Sequence, residues 1–311
     1  MKPLRIGTRG SKLALWQAEH LRGALPPELA AGVEIVVIKT SGDRFAGADF
    51  DQLGIRGVFT KDLEDALTDG RIDLAVHSLK DVPTEFGADC RVLPIFPRED
   101  PRDALVSRRN ETLAQLAPGA RIGTSSLRRA GQLRAFRADL EIIPLRGNVD
   151  TRLRKLDAGE CDGIVLAKAG LERLSLADRI TEILPPEIML PAVGQGALAV
   201  EFLAARGGEL EFLGALADAP TALAVAAERA LLAALQGGCR LPLGAWARFH
   251  DGSLHLDACV LSADGAEFLR RHSAAACDGE TDAQLLGQRV AQELLDAGAG
   301  RLLELAGRSV G

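Results

Sequence analysis

Residues 121–154, RIGTSSLRRAGQLRAFRADLEIIPLRGNVDTRLR, state one pattern twice: strand, turn, helix, then strand, turn, helix again. Arg121-Ile122-Gly123 ends a short strand, and Thr124-Ser125-Ser126 offers hydroxyls to cap the next helix. Leu127, Ala130, Leu133 and Phe136 then recur at helical spacing. Residues 141–145 form an apolar strand, and 145–152 (LRGNVDTR) repeat the layout. A chain written this way folds as α/β. Adjacent strand-to-helix turns of one parallel sheet open on the same edge, so the two turns should converge.

The stretch holds eight arginines against three acids, a local charge of +5 in a chain whose net charge is −6. Arg128 and Arg129 fall in the first turn of a helix, where the macrodipole is already positive, and they weaken it unless an anion sits there. Capping hydroxyls, open backbone N–H groups and guanidinium forks make a receptor for carboxylate or phosphate. A solvated basic face is the plainer alternative. Arg146 and Arg152, at the mouth of the second turn, favour the receptor and a polyanionic ligand. Net negative charge, no tyrosine and few aromatics argue against a nucleic-acid partner.

Arg5-Ile6-Gly7-Thr8 recurs word for word at Arg121-Ile122-Gly123-Thr124, both times at a strand-to-helix turn followed by Ser and Arg. Two similar α/β halves, each presenting a helix N-terminus to a shared cleft, explain the repeat. In the first half, strands are expected at 4–7, 33–38, 72–76 and 92–96. Helices are expected at 12–25, closed by Pro26-Pro27, and at 59–68. Residues 40–58, rich in Gly and Asp, read as a lid or binding loop. Residues 97–101 and 185–196 are Pro-rich crossings to and from the second half, which leaves the first domain discontinuous. Helices are expected at 209–216 and 221–235. Strand-like runs at 243–250, 253–261 and 267–274, joined by short turns, mark an antiparallel meander, and helices at 283–297 and 301–305 close the chain.

The expected division is domain 1 over 1–96 and 197–216, domain 2 over 97–196, and domain 3 over 217–311. No apolar run is long enough to span a bilayer, and the N-terminus has no secretory h-region. Five scattered cysteines without CxxC spacing disfavour a disulfide framework or a zinc site and suit a reducing cytoplasm.

Two further sites stand out. The strand at 72–76 runs into His77-Ser78-Leu79-Lys80-Asp81-Val82-Pro83, at a carboxyl end where open α/β sheets bind ligands. Asp81 is either a turn-former paired with Lys80 or the one carboxylate free to handle protons in an Arg-lined cleft. Cys239, in LQGGCRLP, is either a buried inert thiol or, with Arg240 beside it, an exposed nucleophile or attachment point.

Seven motifs in order, TRGSKLALWQA, VHSLKDVP, REDPRDALVS, GTSSLRR, LRGNVDTRL, LPAVGQGA and AERALLAALQGGC, make the chain resemble the porphobilinogen deaminase (hydroxymethylbilane synthase) family almost end to end. The resemblance implies two lobes like periplasmic binding proteins, with mostly parallel sheets, and a small α+β domain with a three-stranded antiparallel sheet. It implies a monomeric cytoplasmic transferase of heme biosynthesis. Such an enzyme condenses four porphobilinogen units head to tail with loss of ammonia, then hydrolytically releases hydroxymethylbilane. It implies a dipyrromethane cofactor in thioether linkage to Cys239, and no metal.

By the same resemblance Asp81 is the catalytic carboxylate. Ser78, Lys80, Thr124, Ser125, Ser126, Arg128, Arg129, Arg146 and, in the loop, Asp43 contact the cofactor. Arg9, Ser11, Arg152, Arg173, Gln195, Phe59 and Arg56 contact substrate or the growing polypyrrole chain. The loop departs from the family pattern K-x-G-G-K-G-L-F: Gln52 and Arg56 stand where bacterial members often carry lysines. A non-catalytic two-lobed receptor for a small polyanion is the rival reading. It gives no role to Asp81 or Cys239.

Overall fold

The computed structural model describes residues 3–40, 60–84, 87, 89–235 and 241–308. The strands, in chain order, are β1 (Leu4–Thr8), β2 (Val33–Val37), β3 (Leu74–Ser78), β4 (Cys90–Ile95), β5 (Asp103–Ser107), β6 (Arg121–Gly123) and β7 (Glu141–Ile143). They continue with β8 (Gly163–Ala167), β9 (Glu182–Ile183), β10 (Leu198–Leu203), β11 (Leu243–His250), β12 (Ser253–Leu261) and β13 (Phe268–Ala275). The chain divides into two compact units: Met1–Arg98 with Ala197–Ala222, and Glu99–Gly196 with Leu223–Gly311.

The first unit is built on a five-stranded sheet in the order β2-β1-β3-β10-β4. β1 pairs parallel with β2 and β3, whereas β10 runs antiparallel to β3 and β4. Helix Lys12–Ala24 starts at Ser11, whose side chain accepts from Ala14 N. Its Ala18 and Leu21 pack with Ile6, Leu74, Val76 and Val200 on one face of the sheet. Helix Lys61–Thr68 covers the other face with Leu63, Ala66 and Leu67 against Ile38, Ile72 and Ala75.

The second unit contains a five-stranded sheet in the order β7-β6-β8-β5-β9. Here β6 is the parallel centre and β5 runs antiparallel to β8 and β9. Strand for strand this is the first sheet again, with the antiparallel member now supplied by the outgoing crossing. The repeated Arg-Ile-Gly-Thr accordingly falls on the two equivalent strands β1 and β6. Its arginine meets an equivalent acid in each: Asp73 N donates to Arg5 O and Asp162 N to Arg121 O, both at 2.8 Å. In return Arg5 N donates to Asp73 Oδ2 at 2.7 Å and Arg121 N to Asp162 Oδ2 at 2.9 Å.

The same unit carries the antiparallel sheet β11-β12-β13. Its inner face (Ala245, Ala247, Leu254, Leu256, Ala258 and Val260) is covered by helices Ala219–Ala234 and Glu280–Asp296. Alternation of small and branched residues on β11 and β12 leaves room for the helices to lie close, as Gly287 does against Ala227 O.

Several expected boundaries differ. Pro27 does not simply close the first helix; it opens a short helix, Pro27–Ala30, whose first turn needs no amide from it. The strand expected at 72–76 lies at Leu74–Ser78, because Asp73 is engaged with Arg5 and Ile72 packs into the apolar cluster beneath helix Lys61–Thr68. The helix expected at 209–216 is a 3₁₀ segment, Glu211–Leu216, without a side-chain cap and containing Gly214. β9, only two residues long, carries no periodicity and was not expected.

Candidate active site

In the first unit, β3 ends in a 3₁₀ turn, Leu79–Asp81, anchored where Leu79 N donates to Ala197 O at 3.0 Å. Above it lies a cavity of about 60 Å³ lined by Arg9, Ser11, Gln17, His77, Ser78 and Asp81, among others. Gln17 Nε2 donates to Ser78 Oγ at 2.7 Å and ties the first helix to the end of β3. Asp81 is exposed, while Lys80 and Arg9 are half-buried. The sequence candidates Arg9, Ser11, Ser78 and Asp81 therefore share one cavity. Sequence reasoning passed over His77, whose Nε2 lies 2.9 Å from Oε2 of the fully buried Glu201. Glu201 did leave a signal: it is the lone acid in an otherwise apolar strand.

In the second unit, the turns after β6 and β7 meet as expected. Ser125 Oγ donates to Leu145 O at 3.2 Å and accepts from Leu145 N at 3.1 Å. Thr124 Oγ1 accepts from Ser126 N, and Ser126 Oγ caps helix Leu127–Phe136 by accepting from Arg129 N. Arg152 Nε donates to Gly147 O at 2.7 Å, and Arg146 and Arg152 are half-buried.

The misfit of two arginines at a helix N-terminus is answered from within the protein. Arg128 and Arg129 are 4% and 6% exposed, and both turn onto Asp103, which is fully buried. Arg128 Nη1 stands 2.6 Å from Asp103 Oδ2, and Arg129 Nη2 stands 2.7 Å from Oδ1. Gln195 Nε2 joins them at 2.9 Å from Oδ1 and also donates to Pro101 O at 2.7 Å. Burial by itself would raise the Asp103 carboxyl, but the charges and hydrogen bonds of the two guanidiniums hold it well below the usual carboxylate range. Burial is in turn the main cause lowering Arg128. Arg173 stands apart from this group: its Nε is 3.0 Å from Glu99 Oε2 and its Nη2 donates to Gly196 O at 2.8 Å.

Much of the expected +5 is spent on architecture. Arg121 pairs with Asp162, Arg134 donates to Ala263 O, and Arg137 pairs with Asp139 while bonding carbonyls of Leu113 and Leu116. Sequence reasoning missed Asp103 because it reads as the first residue of an ordinary strand. Asp43, Arg56, Phe59 and Cys239 lie outside the described residues. The four described cysteines are free thiols, all with pKa raised chiefly by burial, Cys90 and Cys259 to about 12. Among the described residues no group of three or more His, Cys, Asp or Glu side chains is placed to hold a metal ion. No helix there is long and apolar enough to cross a membrane.

The family model described as "Porphobilinogen deaminase, dipyromethane cofactor binding domain" matches residues 4–208, and that described as "Porphobilinogen deaminase, C-terminal domain" matches 222–296. The chain is 47% identical over 308 residues to the porphobilinogen deaminase of Nitratidesulfovibrio vulgaris, covering 97% of this chain and 96% of that one. It is 48% identical to the corresponding protein of Syntrophotalea carbinolica and 48% identical to that of Bordetella parapertussis, in each case over 96% of this chain and 95% of the other. A solved structure, the periplasmic aliphatic sulphonate binding protein SsuA from Escherichia coli, is similar only at 12% identity and a TM-score of 0.40, over 99% of this chain and 92% of that one. On the strength of the two family models and of these full-length relatives, the chain belongs to the porphobilinogen deaminase family.

Proposed function

We propose that the protein is a transferase that condenses four porphobilinogen units head to tail, with loss of ammonia at each turn, and releases hydroxymethylbilane by hydrolysis. The observation that carries the site assignment is the shared cavity of Arg9, Ser11, Ser78 and Asp81. A carboxylate sharing a cavity with an arginine, at the end of a strand and open to solvent, suits a substrate that arrives with carboxylates and an ammonium. Asp81 is assigned the catalytic role. It stabilises the positive charge that builds on the substrate's methylene carbon as the amine departs, and it takes the proton displaced when two pyrroles join. Arg9, Ser11, Arg152, Arg173 and Gln195 are assigned to the substrate and the growing chain, with Phe59 and Arg56 contributed by the loop.

The donor set of the second unit fits a dipyrromethane group, which carries several carboxylates. Two guanidiniums face one carboxylate at Asp103, so the cluster keeps one positive charge for an anion to neutralise. Arg128 Nη2 and Arg129 Nη1 have no protein partner among the described residues. These, with Thr124, Ser125, Ser126, Arg146, Lys80, Ser78 and Asp43, would hold the group, and Cys239 would bear its thioether. When bound, it supplies the pyrrole terminus to which the first unit is added. The raised pKa of the four described cysteines leaves them poor nucleophiles, in keeping with Cys239 as the attachment point.

The three-domain division, 1–96 with 197–216, 97–196 and 217–311, is retained as our reading. Its support is that each segment set has its own sheet. A cytoplasmic location accords with the free thiols, and a monomer is retained from the family resemblance.

The testing experiment is intact mass followed by turnover. The isolated protein is expected to weigh two pyrroles more than its 311 residues, to lose that increment in Cys239→Ser, and to form hydroxymethylbilane from porphobilinogen. An unmodified mass with no product from porphobilinogen would overturn the reading.

A further inference from the structure

Glu201 sits midway along β10 with 0% exposure. A carboxylate so placed is costly unless a partner carries compensating charge. The register sets Ala199 opposite His77 and Glu201 opposite Ala75, so all four residues share one face of the sheet. The two alanines leave the space in which the imidazole and carboxylate meet, with Nε2 and Oε2 2.9 Å apart and side chains 5% and 0% exposed. Glu201 Oε1 has no hydrogen-bond partner among the described residues. The second ring nitrogen of His77, Nδ1, has no protein partner among them either, and His77 lines the cavity that holds Asp81.

Among the described residues, Glu64 on helix Lys61–Thr68 and Cys90 on β4 lie near enough to feel the charge of Glu201. Burial first, then the nearby charge of Glu201, raises both. Arg9 and Asp81 lie on the cavity side. Among the described residues Glu201 thus has one hydrogen-bonded partner able to take a positive charge, the imidazole of a residue that also lines the cavity holding Asp81.

We propose that His77, oriented by Glu201, is a proton relay that returns Asp81 to its carboxylate form between condensations. This rests on Asp81 as the catalytic carboxylate. In each turn the substrate C–N bond breaks with its electron pair on nitrogen, and the new C–C bond displaces one proton, which Asp81 takes. The protonated Asp81 passes that proton across the cavity to His77 Nδ1, and the imidazolium keeps its Nε2–H on Glu201. His77 then delivers the proton to the departing ammonia, which leaves as ammonium. No net proton is consumed, and both side chains return to their starting states. The cavity is large enough for a bridging water.

The test compares His77→Ala, His77→Gln and Asp81→Asn in the loaded enzyme, with intact mass and thermal melts on each. His77→Ala is expected to lose roughly 10²-fold in kcat with KM nearly unchanged, and added imidazole is expected to restore about tenfold or more as the free base enters the space left behind. His77→Gln keeps an N–H for Glu201 but carries no transferable proton. It is expected to fold and load normally with the same loss, which covers the case of an unstable alanine variant. A readout independent of turnover is the ¹⁵N spectrum of the native protein, in which neutral His77 is expected to hold its proton at Nε2. Wild-type kcat in His77→Gln, or a His77→Ala defect that imidazole leaves untouched in a folded, loaded protein, would overturn the relay. Full activity in Asp81→Asn would instead remove the underlying assignment. A dead Asp81→Asn beside a normal His77→Gln would sink the relay alone.

Discussion

Arg129 and Asp103 form a forked buried contact, Nη2 at 2.7 Å and Nε at 3.2 Å from the same Oδ1, while the carboxylate's other oxygen takes Arg128. An acid at the head of one strand thereby supplies the anion that a helix N-terminus bearing two arginines requires. Asp103→Asn strands two buried guanidiniums. It is expected to cost about 3–5 kcal/mol of unfolding free energy, whereas Gln195→Leu, which removes one hydrogen bond to the same oxygen, should cost about 1–3 kcal/mol. Urea unfolding of the three proteins checks the order. Equal losses would mean that the ion pairs contribute nothing beyond packing.

Asp81→Asn keeps shape and hydrogen-bonding capacity at an exposed position, so it should fold as the parent does. Its kcat is expected to fall by about 10²–10⁴-fold, with the attached cofactor still present by intact mass. Turnover within a small factor of the parent's would end the assignment of Asp81.

Stability in acid should depend on Asp73. Its burial would raise the carboxyl, but hydrogen bonds from Arg5 and Arg206 outweigh this and bring it down to about 2. A carboxyl depressed in the folded state stabilises fully above its unfolded value, near 4, and that contribution is lost as pH falls through the folded value. The parent should therefore lose stability between about pH 4 and pH 2 more steeply than Asp73→Asn, which starts lower and has no such titration. Parallel curves from equilibrium unfolding across that window would refute the contribution.

Gly196 closes the return crossing with φ of +89°, and a Cβ there would collide with the carbonyl of Glu99. Its own carbonyl accepts from Arg173 Nη2. Gly196→Ala is expected to destabilise by more than about 1 kcal/mol through backbone strain. Gly214→Ala, where nothing lies within reach, should not. Melting temperatures of the two variants decide it.

The local grammar of residues 121–154 was enough to place β6, β7, the helix after each of them and the Ser126 cap, because each depends on neighbours within a few positions. The short-range repeat Arg-Ile-Gly-Thr likewise located equivalent strands in two sheets of the same topology. The sequence could not say what the arginines would meet. Arg128 and Arg129 look like open receptors in the one-dimensional text, yet 25 and 26 residues separate them from the carboxylate that holds them.

The sequence by itself determined the set of elements, their caps and the chemistry on the turns, all written in periodicity and in side chains that bond to nearby backbone. Only the tertiary structure decided the partners. His77 finds Glu201 across 124 positions, and Gln195 finds Asp103 across 92. Those pairings arise from which strands lie side by side and from the low-dielectric interior between them, where a charge must be matched in space whatever its distance along the chain.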